Sequence, residues 1–319
     1  MALARTHLKP LADGEKIHPS DILNEGLTGN TYYVIPTANA NYAFFKTLYD
    51  IVYSDGSNAV ANTITAALSR CVSGRNDRIV LQPGATYAEN VTVSKDNVSI
   101  VGANIFANSK RAIVQPTSGI ALTVGDCHRF SSVGVRYSGV SGVGVRHSGE
   151  AAYFENCDFT SDTSHGFQFF SSTTTSDYTG SGTTLYRCLF RECGAAGLRH
   201  TSDADTGNPN YGVQATNVNV WECQFYGNTG DDIDDDAQAG NPTYFYQWDI
   251  SGNKFMTRNK AAAGAKYLDM DGGVSQDCLI SNNFFASDEA FDTDNIDIAT
   301  GAVFAGNYAA SGIIDGSTF

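Results

Sequence analysis

Six times between residues 154 and 309 the chain repeats one short core: an apolar residue, two others, a Cys or Asn, one more, and usually Phe. The copies are FENCDF (Phe154, Cys157, Phe159), LYRCLF (Leu185, Cys188, Phe190), VWECQF (Val220, Cys223, Phe225), ISGNKF (Ile250, Asn253, Phe255), ISNNFF (Ile280, Asn283, Phe285) and FAGNYA (Phe304, Asn307, Ala309). Two weaker copies precede them, IVGANI at Ile100–Ile105 and FSSVGV at Phe130–Val135. Successive fourth positions are separated by 30, 24, 31, 35, 30, 30 and 24 residues. A fixed core with variable spacing places the insertions in loops and the core in a stacked unit.

A second apolar pair follows each copy: Val143 and Val145, Phe167 and Phe169, Leu198 and His200, Ile233 alone, Leu268 and Met270, Ile296 and Ile298. Each repeat therefore holds short period-2 stretches separated by turn residues. Strands this short cannot bury a face alone, but wound into stacked coils they enclose a continuous core. The Cys or Asn position is expected at a turn, its side chains stacking into a ladder. Phe159, Phe190, Phe225, Phe255 and Phe285 are expected to stack inside as an aromatic column. A β-propeller needs four strands in about 40–50 residues per blade, more than these units contain. The expected fold is all-β: a single parallel β-helix of about 8–10 coils over residues 31–319.

Residues 58–71 read as an amphipathic helix with Val60, Ile64, Ala67, Leu68 and Cys71 on one face. A strand, a Pro-Gly turn and further strands follow in DRIVLQPGATYAENVTVSKDNVSIVGAN. This capping helix, the IVLQPGATY that follows it and the Asn-bearing repeats together resemble the right-handed parallel β-helix of the pectate-lyase-like superfamily. Bacteriophage tailspikes and other virion proteins share that pattern. The resemblance covers residues 30–315. It is specific for fold and weak for function, because one fold hosts many functions.

The chain carries a net charge of −14, unevenly placed. Residues 1–200 hold 16 Lys+Arg and 16 Asp+Glu, whereas residues 201–319 hold 4 and 18. An acidic half argues against a nucleic-acid partner and suits a cation or a basic partner. The N-terminus has no apolar signal region, and no apolar run is long enough to span a bilayer. The seven Cys form no CxxC pair, so buried thiols are expected rather than a disulfide scaffold or zinc site.

The densest acidic segment is DDIDDD, Asp231 to Asp236. If Ile233 points inward, Asp232 and Asp234 should point outward, and Asp235 and Asp236 should begin the next loop. The equivalent outward positions of other coils are Gly144 with Arg146, Gln168, Arg199, Asp269 with Asp271, and Asp297. With coils about 4.8 Å apart, these form one exterior stripe, basic at one end and acidic at the other. In the family that the chain resembles, this sheet carries the substrate groove.

Three readings of the stripe stay open. As a catalytic site, Asp232, Asp234, Asp269 and Asp271 would supply acid and base for glycoside hydrolysis. Arg146, Gln168 and Arg199 would then bind the sugar, with Tyr211, Tyr244, Tyr246 and Trp248 stacking on it. No catalytic signature of the family is intact: the His-Gly of SHGFQF (Ser164–Phe169) precedes the acidic pair, and the associated Arg-x-Lys is missing. As a metal site, Asp234 and Asp271 would bridge a calcium ion, the one candidate cofactor. DIDDDA only partly resembles a calcium loop, because Ala237 stands where Gly is needed and Thr243 where the closing Glu belongs. As a solvated or interfacial acidic face, the stripe would do no chemistry, and this reading needs the fewest assumptions.

The remaining histidines and cysteines have plainer readings. His200 is expected inside the core, and His128 and His147 on the surface. A Cys188–Cys223 disulfide is conceivable by position but not indicated.

Residues 1–30 match no coil and read as a docking arm, and no obvious cap covers the C-terminal coil. Together with the resemblance, these features lead to a bacteriophage virion structural protein, a capsid decoration or spike. Residues 1–30 would anchor it to other virion proteins. It is expected as a homo-oligomer, with a trimer as the candidate state, assembled in the host cytoplasm without nucleic acid or membrane insertion. The alternative is a polysaccharide-degrading tailspike or pectate-lyase-like enzyme acting on a host-surface polysaccharide.

Overall fold

Each repeat core folds into two short strands around a two-residue bend. In the FENCDF copy the strands are Tyr153–Glu155 and Asp158–Ser161. Between them Asn156 takes the left-handed conformation, with φ of 51°. Arg187, Glu222, Gly252, Asn282 and Gly306 occupy the same bend in later coils, all at positive φ. Asn and Gly enter that region at little cost, whereas Arg187 and Glu222 are held there by the stacked coils. The computed structural model describes residues 29–38, 42–49, 51–102, 111–125, 127–170, 180–201, 214–236, 244–257, 264–270, 274–286, 295–298, 301–309 and 312–314. The expected arm, residues 1–30, lies outside them except for Gly29 and Asn30.

The chain visits three parallel sheets in turn, once per coil. The first sheet has 11 strands, the second 10 and the third 8. From Arg78–Leu81 to Val303–Ala305 the first sheet has nine successive coil strands, within the expected range. A separate three-stranded parallel ladder is formed by Gln214–Thr216, Tyr244–Tyr246 and Val274–Gln276. Strand pairing is in register throughout, so inward residues stack on inward residues from coil to coil.

That register builds the predicted core. Phe190, Phe225, Phe255 and Phe285 stack face to face with centroids 4.6–4.8 Å apart and planes within 11°. Phe159 joins the column at 5.0 Å from Phe190, tilted by 42°. Beside it runs the ladder. The Oδ1 of Asn253, Asn283 and Asn307 accepts from the backbone N–H of Cys223, Asn253 and Asn283 respectively, at 2.8–3.0 Å. In the earlier coils buried thiols take over: the Sγ of Cys188 and Cys223 donates to the Phe154 and Leu185 carbonyls at 3.4 and 3.3 Å. All seven cysteines are free and buried. The Cys188–Cys223 pair is a stacked thiol pair, with no disulfide.

Several expectations need correction. Pairing sets Ser132 against Phe154 and Tyr137 against Phe159, so the equivalent core in that coil is Ser132, Val135 and Tyr137. The FSSVGV reading was two residues out of phase. The capping helix α2 is Ile64–Arg70, shorter than expected, because Thr63 caps it by accepting from Ala66 N–H and Val60–Ala61 joins the first sheet. A short helix α1, Tyr42–Leu48, precedes it. The Glu89 carboxylate accepts from the first two N–H groups of α2, and Lys95 Nζ donates to the carbonyls of Leu68, Ser69 and Cys71 at its end. Those charges match the helix dipole. His147 is buried rather than superficial. At the far end Gly312–Ile314 turns back and pairs antiparallel with Asn307–Ala309, so one strand edge is covered. Among the described residues no helix is long and apolar enough to cross a membrane.

Candidate functional site

The third sheet carries the outward stripe. Pairing aligns Thr92, Thr123, Arg146, Gln168, Arg199, Asp234, Asp269 and Asp297 in one column across eight coils. The inward column beside it is Val91, Leu122, Val145, Phe167, Leu198, Ile233, Leu268 and Ile296, all buried. Strand alternation thus fixes which side chains reach solvent.

The basic end is packed rather than open. Arg146 lies over the Phe170 ring at 4.3 Å and donates from Nε to Gln168 Oε1 at 3.3 Å. Gln168 is only 7% exposed. Arg199 sits at the change of sign. Its Nη1 lies 2.7 Å from His165 Nε2 and its Nε 3.7 Å from Asp234 Oδ2. His165 Nδ1 accepts from Ala196 N–H at 3.2 Å.

At the acidic end Lys266 joins the row of acids. Its Nζ bonds Asp269 Oδ1 at 3.2 Å and Asp297 Oδ2 at 3.1 Å, spanning two coils. Burial would lower the Lys266 pKa, but the hydrogen bonds to Asp297 and Asp269 outweigh it and leave the pKa raised. The carboxylate of Asp231 accepts from Lys266 N–H. One oxygen each from Asp231, Asp234 and Asp269 lies within 4.8 Å of the others.

Asp232 is not on this surface. It is fully buried, and its Oδ1 accepts from Asn228 Nδ2 at 2.9 Å. The strand begins at Ile233, so Asp232 belongs to the preceding bend, where alternation does not apply. Asp235 and Asp236 continue that strand instead of opening a loop. Trp248 is also interior. It packs against Phe245, Phe169 and His200, and its Nε1 donates to the Ala215 carbonyl at 2.7 Å, so it offers no platform for a sugar. Tyr244 lies in the three-stranded ladder, with its side chain outside the described residues. Tyr211 and Asp271 fall wholly outside them, so the expected Asp234–Asp271 bridge has no described counterpart. Asp231, His165 and Lys266 were missed as site residues. His165 meets Arg199 from a position 34 residues away, which no local pattern signals, whereas Lys266 stands three residues before its partner Asp269.

Chemically, paired carboxyls that divide acid and base work need contrasting environments. Asp234 and Asp269 each face a cation, Arg199 Nε at 3.7 Å and Lys266 Nζ at 3.2 Å.

No family model matches the chain, and no curated protein matches it. Among solved structures it is similar to pectate lyase Pel9A, with a TM-score of 0.54 at 17% identity over 92% of this chain and 74% of that one. The fold is a right-handed parallel β-helix of the pectate-lyase type. This β-helix also aligns with alginate lyase from Paenibacillus sp. str. FPU-7 at a TM-score of 0.49 and 15% identity, over 78% of this chain and 93% of that one. ORF18 of Geobacillus virus E2 aligns at 0.41 and 15%, over 84% and 61%. At such identities the likeness is one of fold.

Proposed function

We propose that the protein is a structural β-helix module of a bacteriophage particle, a capsid decoration or spike component anchored through residues 1–30. One observation supports the structural part of this reading. The described side chains of the outer stripe are paired within the chain: Arg146 with Gln168 and the Phe170 ring, Arg199 with Asp234, and Asp269 and Asp297 with one shared Lys266. A face tied together in this way, though still acidic at one end, stiffens a long solenoid by linking one coil to the next. The location rests on the repeat pattern's resemblance to virion proteins and on an N-terminal segment that matches no coil. The test is particle binding by three forms: the full chain, the chain lacking residues 1–30, and Asp231→Asn with Asp234→Asn. The expected result is loss of binding on deletion and retention in the double variant. Binding that survives the deletion would refute the anchoring role. Light scattering of the purified chain tests the homo-oligomer, with a trimer expected.

The Asp231, Asp234 and Asp269 cluster favours a second reading, a cation-assisted site for an acidic host-surface polysaccharide. Three carboxylate oxygens at this spacing fit one calcium ion, with water completing its usual six to eight ligands. Bound there, the ion would neutralise a sugar carboxylate, and Arg199 would hold the neighbouring one. This reading predicts calcium binding that Asp234→Asn abolishes and release of oligosaccharides from host glycans. Absence of both leaves the structural role alone.

A further inference from the structure

A second charged feature lies on the opposite side of each coil, along the short bend between the first and second sheets. A groove of about 770 Å³ runs there. Arg111, Arg136, Arg187, Arg191 and Lys254 line it, against only two carboxylates, Asp158 and Glu222. In a chain of net charge −14 this is a local reversal of sign. Pairing of Arg136 with Asp158, Asp158 with Leu189, Leu189 with Gln224 and Gln224 with Lys254 carries the groove across five successive coils. At about 4.8 Å per coil its length is roughly 19 Å, which suits a chain-like ligand lying along the solenoid axis.

Asp158 gives the groove a built centre. Its side chain is 2% exposed, and it accepts from Arg136 Nε at 2.6 Å and from Arg191 Nε at 3.1 Å. One buried carboxylate therefore orients two guanidinium groups, and Arg191 has a second carboxylate, Glu192, at 3.6 Å from Nη1. Arg187 is matched by Glu222 at 2.7 Å. Among the described residues Lys254 has no ion pair, and the buried Nη1 of Arg111 has no hydrogen-bond partner. The excess positive charge and the spare donors belong to residues that line one groove, and planar guanidinium forks match carboxylate and sulfate oxygens.

We propose that this groove binds an anionic polysaccharide, whose carboxylate or sulfate groups lie along the row from Arg111 to Lys254. A glycan fits better than a nucleic acid on two counts. Among the described residues no aromatic side chain lines the groove, so bases find no stacking platform within it. A strongly acidic protein also repels the dense charge of a nucleic-acid backbone more than a polymer with one charge per sugar. The proposal is independent of whether the outer stripe holds a cation.

The test uses the full chain and fluorescence anisotropy with labelled hexasaccharides: polygalacturonate, a heparin-derived sulfated one, and a fully methyl-esterified uronate as the neutral control. A single-stranded oligonucleotide is the fourth probe. At low salt one or both acidic hexasaccharides should bind, with affinity that falls as salt rises, and the esterified one should not. The two acidic arms separate a carboxylate ligand from a sulfate ligand. Lys254→Gln with Arg111→Gln removes two charge-assisted contacts and should weaken binding about tenfold or more. Asp234→Asn, on the other face, should leave it unchanged. Among the described residues neither Lys254 nor Arg111 holds an ion pair, so an unchanged melting temperature should confirm that the double variant is intact. Binding of neither acidic hexasaccharide, equal binding by the double variant, or tighter binding of the oligonucleotide would overturn the proposal.

Discussion

Replacing Asn283 tests whether the buried ladder holds the coils in register. Its Oδ1 accepts from Asn253 N–H at 2.9 Å and from Asn253 Nδ2 at 3.0 Å. Its Nδ2 donates to the Ile250 carbonyl at 2.9 Å and to Asn307 Oδ1 at 3.0 Å. Some of these groups keep another partner after truncation: Asn253 Nδ2 still reaches the Val220 carbonyl, and Asn307 Oδ1 still accepts from the backbone N–H of residue 283. The backbone N–H of Asn253 does not, and an orphaned buried donor costs about 1–3 kcal/mol. With the other hydrogen bonds lost, Asn283→Ala should destabilise the protein by about 2–4 kcal/mol. Asn283→Cys should cost less, about 1–2 kcal/mol, because a thiol can still donate to a carbonyl and weakly accept. Cys223 already does the former at its own rung, donating to Leu185. Urea denaturation followed by the fluorescence of buried Trp248, in the same coil as Asn253, measures the loss. An Ala variant within about 0.5 kcal/mol of the parent, or a Cys variant less stable than Ala, would refute the ladder argument.

Other outcomes follow from burial and charge. His147 and His200 are fully buried, and burial pushes both from 6.5 down to about 3. The unfolded chain therefore takes up protons that the fold refuses, so stability is full above pH 6.5 and declines as pH falls toward 3. His200 has no hydrogen-bond partner on either ring nitrogen among the described residues and packs against Phe169, Phe245 and Trp248. His200→Phe should therefore move the acid-unfolding midpoint to lower pH without loss at neutral pH, as circular dichroism during acid titration would show. Burial raises the thiol pKa of Cys71, Cys157, Cys188 and Cys193, and all seven cysteines are enclosed. A thiol-specific disulfide reagent should find none in the native protein and all seven after denaturation. Asp158→Asn leaves Arg136 and Arg191 facing one another and should cost about 3 kcal/mol in a denaturation experiment, whereas Lys254→Gln should leave the melting temperature unchanged.

How much was legible depended on whether a residue's place is set by its own strand or by the next coil. Phe190, Phe225 and Asn253 were readable because a fixed spacing puts each at a turn or in the core, and the coils repeat that geometry. The same alternation correctly placed Arg199, Asp234 and Asp269 on one outward column. It misplaced Asp232 because the phase was carried one residue past the start of the strand. Phe130 drew the FSSVGV core out of phase: a large apolar side chain outweighed the small Ser132 that occupies the position. Trp248 was read as surface because the Tyr244–Tyr246 strand lies in a segment with the composition of a loop. His165 reaches Arg199, and Lys266 reaches Asp297, from a neighbouring coil, and a contact between coils leaves no mark within either one; the Lys266–Asp269 pair, three residues apart, was open to view and overlooked. The groove around Asp158 was hidden for the same reason, since Arg136 and Arg191 meet at one carboxylate from three different coils.

Quantitative mass spectrometry of gradient-purified phage particles from the producing host tests the structural role most directly. The account predicts this chain in the particles at a fixed copy number that matches a symmetric set of subunits. It also predicts that a chain lacking residues 1–30 is missing from particles while still present in the lysate. Absence of the full chain from particles, together with release of oligosaccharides from host polysaccharide by the free protein, would contradict it.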